Sequence, residues 1–251
     1  GFGLFNMLLF PALEELDACN FRCLNLLNEF GNTETDYQNY NHLPPPLCFV
    51  IEDFKCETLK TLHVTRYDAS LKLFSKLEKC TIDIIRTSKP ELPSSIQELK
   101  IGIYIAELEQ NTLPQNLVEL QILMYNKKLL PGVLPSKLIT LDLDGFDSWL
   151  HPGVLPSDLR ILKLGRFDKQ LNLDVLPKSL VCLELPSYSR NLIKNVLPCT
   201  VTTLTVTYDC LNQPRSVLAE SITDLTLISC MLIPKFKAGV KFGSLECQEH
   251  I

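Results

Sequence analysis

The chain has 251 residues, 46% of them hydrophobic, with a formal net charge of −5 and a pI near 5.5. That balance supports a sizeable core and argues against a binder of nucleic-acid backbone, which presents a basic face. No run of 18 apolar residues occurs, so no membrane-spanning helix is expected.

The first residues, GFGLFNMLLF, are apolar but lack the preceding basic region of a secretory signal. Leu13, Leu16 and Ala18, preceded by Pro11, form the first candidate for a short apolar phrase that recurs later. Residues 31–46 (GNTETDYQNYNHLPPP) are polar, end in three prolines and read as an exposed loop. The phrase returns at Leu59, Leu62, Val64 and at Leu77, Cys80, Ile82, with spacings of 18 and 19 residues.

From Leu92 the chain becomes periodic. Leu92-Pro93, Leu113-Pro114, Leu134-Pro135, Leu155-Pro156, Leu176-Pro177, Leu197-Pro198 and Leu218-Ala219 recur every 21 residues without insertion. A fixed period of this size marks a solenoid, in which each repeat rests on its neighbours. Each Leu-Pro leads into L-x-x-L-x-L, as in Leu138, Leu141, Leu143 and Leu159, Leu162, Leu164. The last two apolar residues lie two apart, the strand period, so one short strand per repeat is expected, paired in parallel at about 4.8 Å.

Three further apolar columns keep the period: the aromatics Tyr104, Tyr125, Phe146, Phe167 and Tyr188; the leucines 108, 129, 150, 171 and 192; and the valines 133, 154, 175, 196 and 217. About seven side chains per coil should therefore point inward. Proline lacks an N–H and suits the corner before each strand. Pro131-Gly132 and Pro152-Gly153 signal turns on the return path, which is too short for long helices and should hold turns, 3₁₀ pieces and extended segments. Residues 229–251 lose the phrase and are expected to cap the open core.

The expected fold class is therefore α/β repeat, mostly β: a right-handed leucine-rich-repeat-like solenoid with a parallel sheet on one face. Degenerate repeats (1–91), regular repeats (92–228) and a capping coil (229–251) should form one continuous array.

The phrase L-P-x-x-L-x-x-L-x-L, then an aromatic followed by Asn or Asp, then Pro-Gly-Val-Leu-Pro, resembles the FNIP repeat. This short relative of the leucine-rich repeat is known from amoebae and large DNA viruses. LPSKLITLDLDGFDSWLHPGV (134–154) and LPSDLRILKLGRFDKQLNLDV (155–175) match best, with Tyr125-Asn126, Phe146-Asp147 and Phe167-Asp168 at the Phe-Asn position. The resemblance covers about 92–228 and implies a binding solenoid. Family members often carry an N-terminal F-box, but residues 1–60 do not align to one, so a role in ubiquitin ligation is not carried over.

The strand residues facing away from the core are the candidate partner-binding set: Glu119, Gln121, Leu123, Thr140, Asp142, Asp144, Ile161, Lys163 and Glu184. Glu98, Lys100, Cys182, Thr203, Thr205, Thr207, Asp224, Thr226 and Ile228 extend the same face. Glu119, Asp142 and Asp144 suggest an acidic patch. Two readings stay open: a solvated sheet face, or a protein contact surface with an acidic centre. Trp149 reads as an outer-face or inter-coil packing residue.

No nucleophile elbow, phosphate loop or zinc-protease motif occurs, and no catalytic residue, cofactor or metal site is expected. The ten cysteines form no C-x-x-C and read as reduced, small core residues in an intracellular protein or a virion. The expected function is a non-enzymatic protein-interaction module. The alternative is a structural subunit of a large assembly such as a giant-virus particle.

Overall fold

The computed structural model describes residues 14–18, 22–23, 48–49, 58–67, 71–72, 74–211 and 217–228. The expected loop at 31–46, the cap at 229–251 and the apolar start at 1–10 lie outside the described residues.

Ten strands form one parallel sheet in the order β1 (Glu15–Ala18), β4 (Thr61–Tyr67), β5 (Lys79–Ile85), β6 (Glu98–Tyr104), β7 (Glu119–Met124), β8 (Thr140–Asp142), β9 (Ile161–Lys163), β10 (Cys182–Leu185), β11 (Thr203–Thr207) and β12 (Asp224–Ile228). The short β2 (Arg22–Cys23) and β3 (Cys48–Phe49) pair separately in parallel. Strands consecutive along the array are neighbours in the sheet, as a solenoid requires. The register runs Leu120↔Leu141↔Leu162↔Leu183↔Leu204↔Leu225. The weak phrases upstream join it: Leu16 pairs with Leu62, and Leu62 with Cys80.

The core lies between the sheet and the return path. In one coil Leu134, Leu138, Leu141, Leu143, Phe146, Leu150 and Val154 are all at most 6% exposed. Burying each contributes about 1.5–3 kcal/mol. Phe146, Phe167 and Tyr188 stack with centroids 6.3 and 6.1 Å apart and planes within 12°. Where the aromatic is tyrosine, its hydroxyl crosses to the preceding coil. Tyr125 Oη accepts from the Leu108 N–H, and Tyr188 Oη from the Leu171 N–H while donating to the Asn191 carbonyl.

Three recurrent turns shape each coil. The proline carbonyl of Leu-Pro accepts from the N–H three residues on, at Pro93, Pro114, Pro135, Pro156, Pro177 and Pro198. On the return path Leu130 O accepts from Val133 N, His151 O from Val154 N and Ile193 O from Val196 N. The residue at the third position of this turn has positive φ in five successive coils: Asn111, Gly132, Gly153, Asp174 and Asn195, at φ 61–78°. Gly, Asn and Asp are the residues that tolerate this conformation. Hydrogen-bonded turns thus do the work expected of 3₁₀ pieces, which are absent among the described residues. The one helix described is α1 (Tyr208–Leu211), whose Cys210 is fully buried just after the aromatic column ends.

The third turn explains why strands shorten. In the early coils the segment after the strand core is Asp83-Ile84, Gly102-Ile103 or Leu123-Met124, and the strands continue for six or seven residues. In later coils it is Asp144-Gly145, Gly165-Arg166 or Pro186-Ser187. There the chain closes a turn, with Phe146 N donating to Leu143 O and Tyr188 N to Leu185 O. The second residue of the early segments is apolar (Ile84, Ile103, Met124) and stays in the pleat, whereas Asp-Gly and Pro-Ser favour the turn.

Once the chain has left the sheet, side chains take over the inter-coil bonding. Asn126 Oδ1 accepts from the Asp147 N–H (2.9 Å), Asp147 Oδ1 from the Asp168 N–H (2.9 Å) and Asp168 Oδ1 from the Ser189 N–H (2.8 Å). This carboxylate–amide ladder links each residue to its equivalent 21 residues later. Two of its carboxylates are matched by cations: Lys169 on Asp147 (2.6 Å) and Arg190 on Asp168 (3.1 Å). Partial burial opposes ionisation of Asp147, but the Lys169 and Asp168 hydrogen bonds outweigh it and hold the carboxyl below its usual range.

One inward expectation fails. Val217 is 47% exposed, unlike its four counterparts. It belongs to the last described coil, where no further coil covers it among the described residues.

Candidate interaction surface

The residues of the sheet that do not enter the core form two rows. One runs Glu15, Thr61, Lys79, Glu98, Glu119, Thr140, Ile161, Cys182, Thr203 and Asp224. The other runs Asp17, His63, Thr81, Lys100, Gln121, Asp142, Lys163, Glu184, Thr205 and Thr226. Neighbours in a row belong to strands about 4.8 Å apart, so each polar side chain meets its sequence equivalent in the next coil.

Those meetings are complementary. Glu98 takes Lys79 (2.8 Å) and Lys100 (3.0 Å) together, and their hydrogen bonds pull its carboxyl below the usual range. Gln121 donates to Asp142 (2.8 Å), and Lys163 pairs with Glu184 (2.9 Å). His63 lies between Asp17 (3.6 Å) and Asp83 (3.3 Å). Partial burial pushes the Asp142 carboxyl up, against the Gln121 bond and the Lys163 charge.

The structure therefore redistributes the expected acidic patch. Asp142 is engaged by Gln121 and faces Lys163. Asp144 is not a strand residue: β8 ends at Asp142, and Asp144 sits exposed in the following turn, its side chain over Gly165. The period-two pattern predicts sidedness but not where the backbone leaves the sheet. Of the acids in the set, Glu184 is ion-paired and Asp142 is hydrogen-bonded by Gln121, whereas Glu119 and Asp144 have neither kind of side-chain partner among the described residues. Between them stands Leu123, 46% exposed, and beside it Met124, 55% exposed, in register with Ile103. Thr140 and Ile161 are half-buried in the first row. Met124 escaped the sequence reading because the early strands kink after their second inward residue, which turns Ile84, Ile103 and Met124 outward as well.

At the other end of the strands lies a shallow groove of about 520 Å³, lined by Lys60, Lys76, Glu78, Gln97, Asn116 and Lys137 among others. Lys60 is paired with Glu14 and Lys137 bonds Asn116. Cys80, Cys182, Cys199 and Cys210 are free thiols. Burial pushes Cys80 and Cys210 up to about 12, which keeps them protonated and unreactive. Among the described residues no group of three or more His, Cys, Asp or Glu side chains is placed to hold a metal ion. No helix among them is long and apolar enough to cross a membrane.

Comparison with known proteins agrees with this architecture. The FNIP Repeat model matches residues 104–146, 125–167, 146–188 and 167–209 in overlapping pairs of coils. The crystal structure of CroV588, described as a novel circular leucine-rich-repeat protein, superposes with a TM-score of 0.57 at 22% identity. The superposition covers 72% of this chain and 32% of that one, so the chain spans about a third of its length. No curated protein matches the sequence. Each match starts on a residue of the aromatic column, so residues 104–209 carry FNIP repeats, and the chain has a leucine-rich-repeat-like solenoid fold.

Proposed function

We propose that the chain is a non-enzymatic protein-interaction module that binds its partner on the outer face of the sheet. The observation that carries this reading is the pattern of satisfied and unsatisfied groups on that face. Lys79 pairs with Glu98 and Lys163 with Glu184 across adjacent coils. Glu119 and Asp144 are left without ion pairs on either side of the exposed Leu123 and Met124. An apolar centre flanked by open carboxylates suits a partner that offers an apolar side chain between basic ones. Gln121, Asp142, Lys163 and Glu184 form the polar margin, with Thr140 and Ile161 beside them.

The test uses the full chain, taken gently from its source by native mass spectrometry to identify what it carries. Binding of that protein is then measured against Glu119→Lys/Asp144→Lys and against Leu123→Glu. Loss of binding in both variants, with unchanged melting temperature, is expected. Undiminished binding refutes the assignment of the face. Recovery only within a megadalton particle of fixed stoichiometry refutes the adaptor role in favour of a structural subunit.

A further inference from the structure

The outer face of the sheet carries an excess of negative charge. Its two rows hold seven carboxylates against three lysines and one histidine. The lysines are engaged within the face: Lys79 and Lys100 by Glu98, and Lys163 by Glu184. At the apolar centre, Leu123 and Met124 stand between Glu119 and Asp144, with Asp142 in the row beside them. Arg166, exposed in the turn of the next coil, is one cation against these three carboxylates. Such a surface selects a segment that is both basic and apolar.

The chain itself supplies one. Beyond Ile228 it continues through residues 229–251. Lys235, Lys237 and Lys241 are interleaved there with Phe236, Val240 and Phe242. No acidic residue occurs between Ile228 and Glu246, so the basic block is not neutralised by its own neighbours.

Ile228 stands in the row of the site. It pairs in register with Thr207, and the same 21-residue step leads back through Pro186 and Gly165 to Asp144 and Leu123. No charged side chain stands in that row between Ile228 and Asp144. From β12 to β7 is five strand spacings, about 24 Å. From Ile228 to Phe242 is 14 residues, up to about 46 Å of extended chain. The excess leaves chain enough to cover the last coil on the way.

We infer that residues 235–242 are a ligand of the chain's own sheet face, their lysines meeting Glu119 and Asp144 and their phenylalanines covering Leu123 and Met124. The inference rests on the reading of that face as the binding surface, and it adds a built-in competitor. Tethering gives the segment an effective concentration of about 1 mM. A segment with a dissociation constant of about 0.1 mM then covers about nine faces in ten, and an external partner has to displace it.

The full chain at low micromolar concentration is treated with a zero-length carbodiimide, which joins a lysine to a carboxylate only where the two touch. The monomer is then analysed by peptide mass spectrometry. Expected are links from Lys235, Lys237 or Lys241 to Glu119 and Asp144. Lys235→Glu/Lys237→Glu/Lys241→Glu removes them, as does Glu119→Lys/Asp144→Lys, and combining the two reversals restores them with the roles exchanged. A labelled synthetic peptide of residues 233–244, followed by anisotropy, should bind the segment-reversed chain about tenfold more tightly than the native chain. It should not bind the face-reversed chain. Equal melting temperatures show that both reversals keep the fold, and the links in the native chain need no variant. The inference is overturned by the absence of links to Glu119 and Asp144, by links spread evenly over other carboxylates, or by links confined to a dimer. Each of those results leaves binding of an external partner on the face standing. Links in the monomer, with a partner that ignores the face variants, uphold the inference and refute the partner reading instead.

Discussion

Replacing Phe167 by alanine tests the claim that the coils hold one another up. Phe167 is fully buried and stacks on both Phe146 (6.3 Å) and Tyr188 (6.1 Å). Truncating a buried phenylalanine costs about 3–5 kcal/mol through lost transfer energy and the cavity left behind. The two stacking contacts, worth roughly 0.5–1.5 kcal/mol each, put this site in the upper half of that range. A loss of about 4–5 kcal/mol is therefore expected, a large share of the roughly 5–15 kcal/mol that holds a domain together. In a nearest-neighbour array the damage should concentrate at the two interfaces Phe167 serves. Urea unfolding followed by Trp149 emission should show a lower midpoint. Hydrogen exchange should rise sharply in β8–β10 and little in β5–β6. Phe167→Leu, which refills most of the volume, should cost roughly half as much. A loss below about 1 kcal/mol, or a uniform rise in exchange along the sheet, would refute the coupling argument.

Four further outcomes follow from named contacts. Asp168→Ala should destabilise by about 2 kcal/mol in urea, because it orphans the Ser189 N–H and the Arg190 guanidinium, whereas Asp168→Asn keeps the acceptor and should cost about half as much. The folded Asp147 carboxyl lies below its usual range. Its stabilisation is thus present above the unfolded value near 4 and is lost as pH falls through the lower folded value, so Asp147→Asn should flatten the acid limb of stability against pH. At Gly153, with φ +78° and open space around a new Cβ, Gly153→Asn should be tolerated while Gly153→Val costs about 1–2 kcal/mol by thermal melting. A thiol reagent should label exposed Cys199 long before buried Cys80 and Cys210, as mass spectrometry of the native chain would record.

Much of the fold was legible because the core repeats in letters as well as in space. The columns at Leu141, Leu143, Phe146 and Leu150 are buried through the regular coils, and upstream the partly buried Leu16 still pairs where its phrase predicts. What escaped depends on relations between coils. The carboxylate ladder was visible as Asn126, Asp147 and Asp168 at equal spacing, but nothing within one coil shows that a side chain bonds the next coil's amide. The left-handed turn position was plain at Gly132 and Gly153 and hidden at Asn111, Asp174 and Asn195, where different letters meet one backbone demand. The candidate surface was legible as sidedness only. Whether a carboxylate there is open, like Glu119, or engaged, like Asp142, is decided by what stands 21 residues away.

The ladder joins each residue to the one a full period later, and so do the sheet bonds and the aromatic stack. Across the ladder coils the chain is in consequence a ruler graduated in whole periods. Excising residues 147–167 would set Asp168 directly after Phe146, and Asn126 would find an aspartate amide in the place it already expects. Losing a single residue between Asn126 and Asp147 would instead misplace that rung of the ladder, although the sheet itself keeps its register across the 18- and 19-residue spacings of β4–β6. Unequal recombination can therefore lengthen or shorten the binding rows in steps of about 4.8 Å, while the letters at Glu119 or Leu123 drift freely, so reach and chemistry are inherited separately.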